Sequence, residues 1–199
     1  MSDYFIRVIF YVAVVLLSVA LLYQMIRIAE YTFCFFTRKI PFVPSSRAQR
    51  RAIVKEIKQH YPNARRICEI GSGYGGMARY IARRCNIDVI ALEYMPVCVL
   101  FSRVADKVTF SHSRTIQCDA FEYLRRMETA AATPFDIAIA YMGPGVNDRI
   151  AEYRACFKTL ILLDVPATDI TPTRTISLKR GGTHYGRVVY PHKLFIYDF

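Results

Sequence analysis

The chain has 199 residues, 53% of them hydrophobic, with 27 Lys and Arg against 16 Asp and Glu for a formal charge of +11. That length suits one domain and leaves no room for a second substantial one; the apolar content, with only nine Gly and nine Pro, excludes a disordered, collagen-like or low-complexity chain. The excess positive charge calls for an anionic neighbour, either a membrane surface or a nucleic acid.

Val8 to Ile26 is a run of 19 residues without a formal charge, VIFYVAVVLLSVALLYQMI. As a helix it would span about 28 Å, close to the hydrocarbon thickness of a bilayer. Tyr4, Phe5 and Tyr11 lie near one end, with Tyr23, Tyr31, Phe33, Phe35 and Phe36 near or beyond the other, as two interfacial aromatic belts would. A cleaved signal peptide, with Ser18-Val19-Ala20 as the cleavage site, competes with this reading, as does an ordinary core helix; a signal's apolar region is usually shorter, about 7–15 residues. Residues 27–66 carry ten Lys or Arg against two Glu, so the carboxyl side is expected in the cytoplasm, touching an anionic leaflet. Pro41 and Pro44 break the chain, Ser45 and Ser46 offer an N-cap, and Arg47 to His60 has helical spacing before Pro62.

Arg66-Ile67-Cys68-Glu69-Ile70 reads as a buried strand, Gly71-Ser72-Gly73-Tyr74-Gly75-Gly76 as a turn, and Met77 to Arg84 as a helix. Such a turn brings bare backbone against a ligand, and the helix start offers unpaired N–H groups to an anion. A second strand, Asp88 to Leu92, ends at Glu93, whose carboxylate can accept from both hydroxyls of a ribose. A third, Thr115 to Cys118, ends at Asp119, a plausible acceptor for an adenine amino group. Phe135 to Tyr141 and Leu160 to Leu163 are the fourth and fifth strands, and Asp164 after the fifth reads as structural. Helices are predicted over Pro96–Val104, Ala120–Arg126 and Asn147–Phe157. This alternation predicts a doubly wound, mostly parallel sheet with ligands at its carboxyl edge. Antiparallel strands are expected at the end, over Thr175–Leu178, 186–190 and Leu194–Asp198, with Gly181-Gly182 as a turn.

Gly71, Gly73 and Gly76 also fit the dinucleotide pattern, but about 35 residues after the fifth strand cannot supply a second βαβαβ half. Glu69 extends the glycines to E-x-G-x-G-x-G, which points to S-adenosylmethionine. At these residues the chain resembles the class I S-adenosylmethionine-dependent methyltransferases over roughly 62–199. The resemblance implies their Rossmann-like seven-stranded sheet with an antiparallel last strand. It implies the cofactor's methionine part along Glu69, Gly71, Gly73 and Gly75, its ribose at Glu93 and its adenine near Asp119; Ser72, Tyr94 and Ala120 complete the expected cofactor site.

More narrowly, the amino-terminal apolar helix, Ile40-Pro41-Phe42-Val43-Pro44-Ser45-Ser46, and Leu92-Glu93-Tyr94 before Ser102-Arg103 look like the membrane-anchored protein-lysine methyltransferases. These are the relatives of the mitochondrial enzymes acting on the ATP-synthase c-subunit and the adenine nucleotide translocase. Tyr74 and Tyr141-Met142-Gly143-Pro144 depart from that group's pattern. The implied organisation is an anchor (1–36), a connector with a basic helix (37–64) and a methyltransferase domain (65–199).

Candidate catalytic residues around the methyl acceptor are Tyr141 and Asn147, with Met142, Pro144, Pro44 and Ser45 nearby and His112 and His184 as weaker candidate bases. Six scattered cysteines and four histidines make no CxxC or HxxxH spacing, so no metal site is predicted, and reduced thiols are expected. The expected function is lysine N-methylation of a membrane-associated protein. A lipid or small-amphiphile acceptor and a non-catalytic binding or assembly role are the alternatives. Nucleic acid is disfavoured, because the charge clusters beside the apolar span and the Asn/Asp-Pro-Pro-Tyr loop is absent.

Overall fold

The computed structural model describes residues 2–37, 43–178 and 192–199. It contains two compact units, Met1–Pro41 and Phe42–Phe199. The first is a single helix, α1 (Ser2–Thr37). Its stretch Tyr4–Ala29 is long and apolar enough to cross a membrane, and none of the most apolar window is buried, unlike the core helix of a soluble domain.

In the second unit, α2 (Arg47–His60) opens with a reciprocal cap: Gln49 N–H donates to Ser46 Oγ at 3.2 Å, and Ser46 N–H to Gln49 Oε1 at 2.7 Å. The cap fixes which side of the helix faces inward, and Ile53, Val54 and Ile57 enter the core. There follow β1 (Arg66–Ile70), α3 (Gly76–Cys85), β2 (Asp88–Glu93), α4 (Pro96–Val108), β3 (Ser113–Gln117), α5 (Ala120–Thr129), β4 (Phe135–Ala140), α6 (Val146–Glu152), β5 (Phe157–Leu163), β6 (Arg174–Ser177) and β7 (Lys193–Asp198).

The seven strands pair in the order β3-β2-β1-β4-β5-β7-β6. Only β7 is reversed: it runs antiparallel to both β5 and β6, so β6 points the same way as the five parallel strands, contrary to the expectation of an all-antiparallel end. The expected strand over 186–190 and the Gly181-Gly182 turn lie outside the described residues. The pleat divides the core in two. Ile67, Val89, Ile137 and Ile161 meet α2 and α3 on one face; Cys68, Leu92, Ala138 and Leu160 meet Leu124 of α5 and Ile150 of α6 on the other.

Several boundaries differ from the sequence reading, among them the end of α5, which runs on from Arg126 to Thr129. The predicted helix over Asn147–Phe157 stops at Glu152, tightens into a 3-10 turn over Arg154–Cys156, and yields Phe157 to β5. Fully buried Phe157 pairs in register with Phe135, and that burial outweighs continuing the helix. Helix α4 continues past Val104 to Val108 because Asp106 is anchored inward: Ser113 Oγ and Thr115 Oγ1 donate to it at 2.7 and 3.1 Å. The same bonds start β3 at Ser113, two residues earlier than expected.

Candidate functional site

The chain changes direction across the sheet between β1 and β4, and their carboxyl ends therefore bound a crevice. Gly71, Gly73 and Gly75 after β1 all have positive φ, at 68°, 54° and 68°. At Gly75 a Cβ would fall 2.1 Å from the Oγ of buried Ser102, so packing as well as backbone conformation demands glycine there; at Gly71 it would fall 1.8 Å from Met142 Cε, the movable end of a flexible side chain, and the positive φ is the stronger reason. Arg79 fastens the turn by donating from Nη2 to Tyr74 O at 2.5 Å while Nη1 faces Asp106 at 3.3 Å.

A small cleft of about 80 Å³ opens here, lined by Val43, Ser45 and Arg50 together with Glu69, Ser72 and Tyr141. Glu69 leaves β1 on the same side as Ile67, beneath α3, and accepts from Ala78 N–H at 2.8 Å. Burial pushes its carboxyl up to about 8, although the Ala78 amide and the Arg50 guanidinium pull it down. Arg50 is set by Ser45, whose Oγ accepts from Nε at 2.9 Å, and its guanidinium lies beside Gly76 at the start of α3. Burial lowers its pKa, against the pull of Glu69. Ser72 is buried, and its Oγ has no hydrogen-bond partner. A titratable carboxyl, a guanidinium and an orphaned hydroxyl thus surround one small space, a set matched to an amino-acid zwitterion once the carboxyl gives up its proton.

On the outer side, Glu93 accepts from Gly73 N–H at 2.6 Å and Met95 N–H at 2.7 Å, which holds the tip of β2 against the glycine turn. Tyr94 beside it is 40% exposed. Asp119 caps α5, accepting from Phe121 N–H at 3.0 Å, and Ala120 is the first residue of that helix. None of these four lines the cleft beside Glu69; they follow the carboxyl ends of the next two strands in sheet order.

Comparison with solved structures bears on the fold. An RNA methyltransferase from Salinibacter ruber in complex with S-adenosyl-L-homocysteine matches with a TM-score of 0.62 at 17% identity, covering 78% of this chain and 93% of that one. An O-methyltransferase from Bacillus cereus matches at 0.55 and 19% identity, covering 62% and 59%. A precorrin 8w decarboxylase from Methanobacterium thermoautotrophicum matches at 0.54 and 17% identity, covering 79% and 93%. The chain has the class I methyltransferase fold. No family model and no curated protein matches it. Since one fold here carries proteins named as a decarboxylase and as methyltransferases, chemistry must be argued from the site.

Tyr141 follows β4 on the α2 side, and its hydroxyl donates to Asp164 Oδ2 at 2.9 Å. Burial, then the charge of Asp164, pushes the phenol up to about 12. Asp164 also receives Gln49 Nε2 and faces His192 Nδ1, each at 2.9 Å, and its Oδ1 accepts from Lys193 N–H at 3.0 Å. The strand-end acid read as structural is therefore the hub of a Tyr–Asp–His–Gln cluster beside the cleft. Asn147, by contrast, does not reach the cleft. It is fully buried and donates from Nδ2 to Val165 O at 2.7 Å and Met142 O at 3.4 Å, tying the loops after β4 and β5 together. His112 sits exposed before β3, at the opposite edge of the sheet, and His184 lies outside the described residues.

Sequence reasoning missed Arg50, Gln49 and His192. The signal for Gln49 was present: the Ser46/Gln49 capping box fixes the rotation of α2 and points Gln49 inward with Ile53, whereas nothing local sets Arg50 apart from Arg47 and Arg51. For His192 there was none, since only the β5–β7 pairing brings it to Asp164.

Proposed function

We propose that this chain is a membrane-tethered S-adenosylmethionine-dependent methyltransferase that N-methylates a lysine of a protein held close to the bilayer, with its catalytic domain on the cytoplasmic side. The carrying observation is the opposed pair Glu69 and Arg50 around the orphaned Ser72 hydroxyl in a positive-φ glycine turn. Glu69 would hold the cofactor's ammonium and Arg50 its carboxylate, with Glu93 at the ribose and Asp119 near the adenine. The bound cofactor supplies a methyl group made electrophilic by its sulfonium.

What the chain itself must do is align an acceptor, exclude water and help an ammonium lose its proton. A cleft of low dielectric disfavours the charged amine. Tyr141, held by Asp164, keeps acceptor capacity on its hydroxyl oxygen, and the Asp164 charge attracts a cationic side chain. With a phenol pKa near 12, Tyr141 orients the amine as a neutral hydroxyl and is not the base. The tether reading is supported by the apolar stretch Tyr4–Ala29 and the cations that follow it.

A lipid acceptor is the second reading, favoured by Tyr74 at the cleft, whose ring meets exposed Phe101 edge-on at 5.9 Å and brings an apolar surface to the rim. The test uses the full chain in membranes with methyl-labelled cofactor. Saturable cofactor binding and label that stays with protein after organic extraction, as methyl-lysine on hydrolysis, are expected. Label in the organic phase would transfer the assignment to lipid, and absence of saturable binding would overturn the enzymatic reading.

A further inference from the structure

Helix α4 is apolar on the wrong side for a soluble domain. It buries Cys98, Val99, Ser102 and Asp106 against its neighbours. Val97, Leu100, Phe101, Val104 and Val108, at spacings of three and four over three turns, are 39–71% exposed, and Phe110 just past the helix is 91% exposed. The remaining charged side chains on the outer surface are Arg103 and Lys107. The helix has one acid, Asp106, and it is turned inward onto Arg79, Ser113 and Thr115. A continuous apolar stripe thus has cations beside it and no exposed carboxylate.

We propose that this face of α4, with Phe110, is an interfacial docking surface that lies in the headgroup region of an anionic bilayer. Apolar side chains on one helix face with Lys and Arg alongside are the composition that seats a helix in the plane of a membrane. A second copy of the chain fits poorly, since it would oppose two cations to two cations with no exposed acid on either helix. An anionic lipid surface answers both features: it takes the apolar stripe out of water and pairs phosphates with Arg103 and Lys107. Docking would also carry the site with it, because Phe101 packs edge-on against Tyr74 of the glycine turn. Acceptors would then be confined to groups presented at the membrane surface.

This inference rests on the tether reading, and the experiment separates the two. The full chain is reconstituted in phosphatidylcholine vesicles, with and without phosphatidylserine, containing a phospholipid with a photoactivatable diazirine near its headgroup. Adducts are then mapped by peptide mass spectrometry. Expected are lipid adducts on the α4 peptides, increased roughly fivefold or more by phosphatidylserine. Leu100→Glu with Val104→Glu should abolish them and leave adducts on α1 and cofactor binding unchanged, since both positions are exposed and neither lines the cleft. Adducts confined to α1 would overturn the docking surface and keep the tether. A chain extracted by alkaline carbonate with no adducts anywhere would overturn both. Cross-links between copies through α4 in place of lipid adducts would overturn the proposal in favour of self-association.

Discussion

Replacing Glu69 by Gln separates the two things this carboxyl does. Its pKa in the fold is about 8 against an ordinary 4.5, chiefly through burial. A raised folded pKa means stability that is complete below about 4.5 and lost as pH rises through 8, because the fold must then keep a buried carboxylate. By linkage, the loss between about pH 6 and about pH 8.5 is roughly 2–3 kcal/mol. Glutamine still offers an oxygen to Ala78 N–H and never ionises. The wild type should therefore melt lower at the alkaline end, and Glu69→Gln should remove that part of the pH dependence and be the more stable protein there. Cofactor binding should run the opposite way, because a cationic ammonium wants the carboxylate. Wild-type affinity should strengthen up to about tenfold per pH unit and level off above 8, while the Gln variant binds weakly with no such slope. Thermal unfolding and cofactor titration across this range read both. If the variant keeps the wild-type slope in melting, Glu69 is not the buried titrating group; if it keeps the slope in binding, Glu69 is not the ammonium's partner.

Arg50→Gln should weaken cofactor binding by about 1.5–3 kcal/mol, as for a lost hydrogen bond to a charged group. It should also move the alkaline limb upward, since Arg50 lowers the Glu69 pKa; a limb that stays in place refutes that coupling. Gly71→Ala, with φ at 68° and Met142 Cε 1.8 Å from the new methyl, should impair cofactor binding, and Met142→Ala should recover part of the loss in a double-mutant cycle. Strict additivity would show that the steric term is absent. Tyr141→Phe should lower kcat by on the order of tenfold to a hundredfold and leave cofactor affinity unchanged. A matching loss of cofactor affinity would place Tyr141 on the cofactor and not on the acceptor.

The parts of the fold legible in the sequence are those decided locally. Arg66–Ile70 and its glycine turn were assigned to the residue, because a short apolar run meets an abrupt change of composition at Gly71. The end of α6 was not legible: Tyr153 to Cys156 has nothing against helix, and it is the pairing of Phe157 with Phe135 across the sheet that ends it. The site divides in the same way. Glu69 and Glu93 stand at fixed offsets from the glycines, and both touch the turn or the helix that follows it. Arg50 was counted only among surface cations, because nothing local distinguishes it from Arg47 or Arg51. Its neighbour in space, Glu69, is on a different element, and only the packing of Ile53 and Ile57 on the core brings the two together. Asn147 misled for the converse reason: a polar residue soon after a strand-four loop resembles a catalytic group, and the backbone carbonyls of Met142 and Val165 claim its amide.

Burial also changes the meaning of the net charge. Ten Lys and Arg in residues 27–66 suggest one basic patch. Arg50 leaves that sum by turning into the cleft beside Glu69, and Arg79, beyond that stretch, is taken up by Tyr74 O and Asp106. Arg47, Arg51, Lys55, Lys58 and Arg65 remain exposed, and Arg103 and Lys107 join them from α4. The exposed set is screened by salt within about 8 Å at physiological ionic strength, whereas the half-buried Arg50 is screened far less. Attraction to an anionic surface and the grip on an anionic ligand are therefore carried by different cations of one basic chain. They are sorted by depth, and a count of charges along the sequence cannot tell them apart.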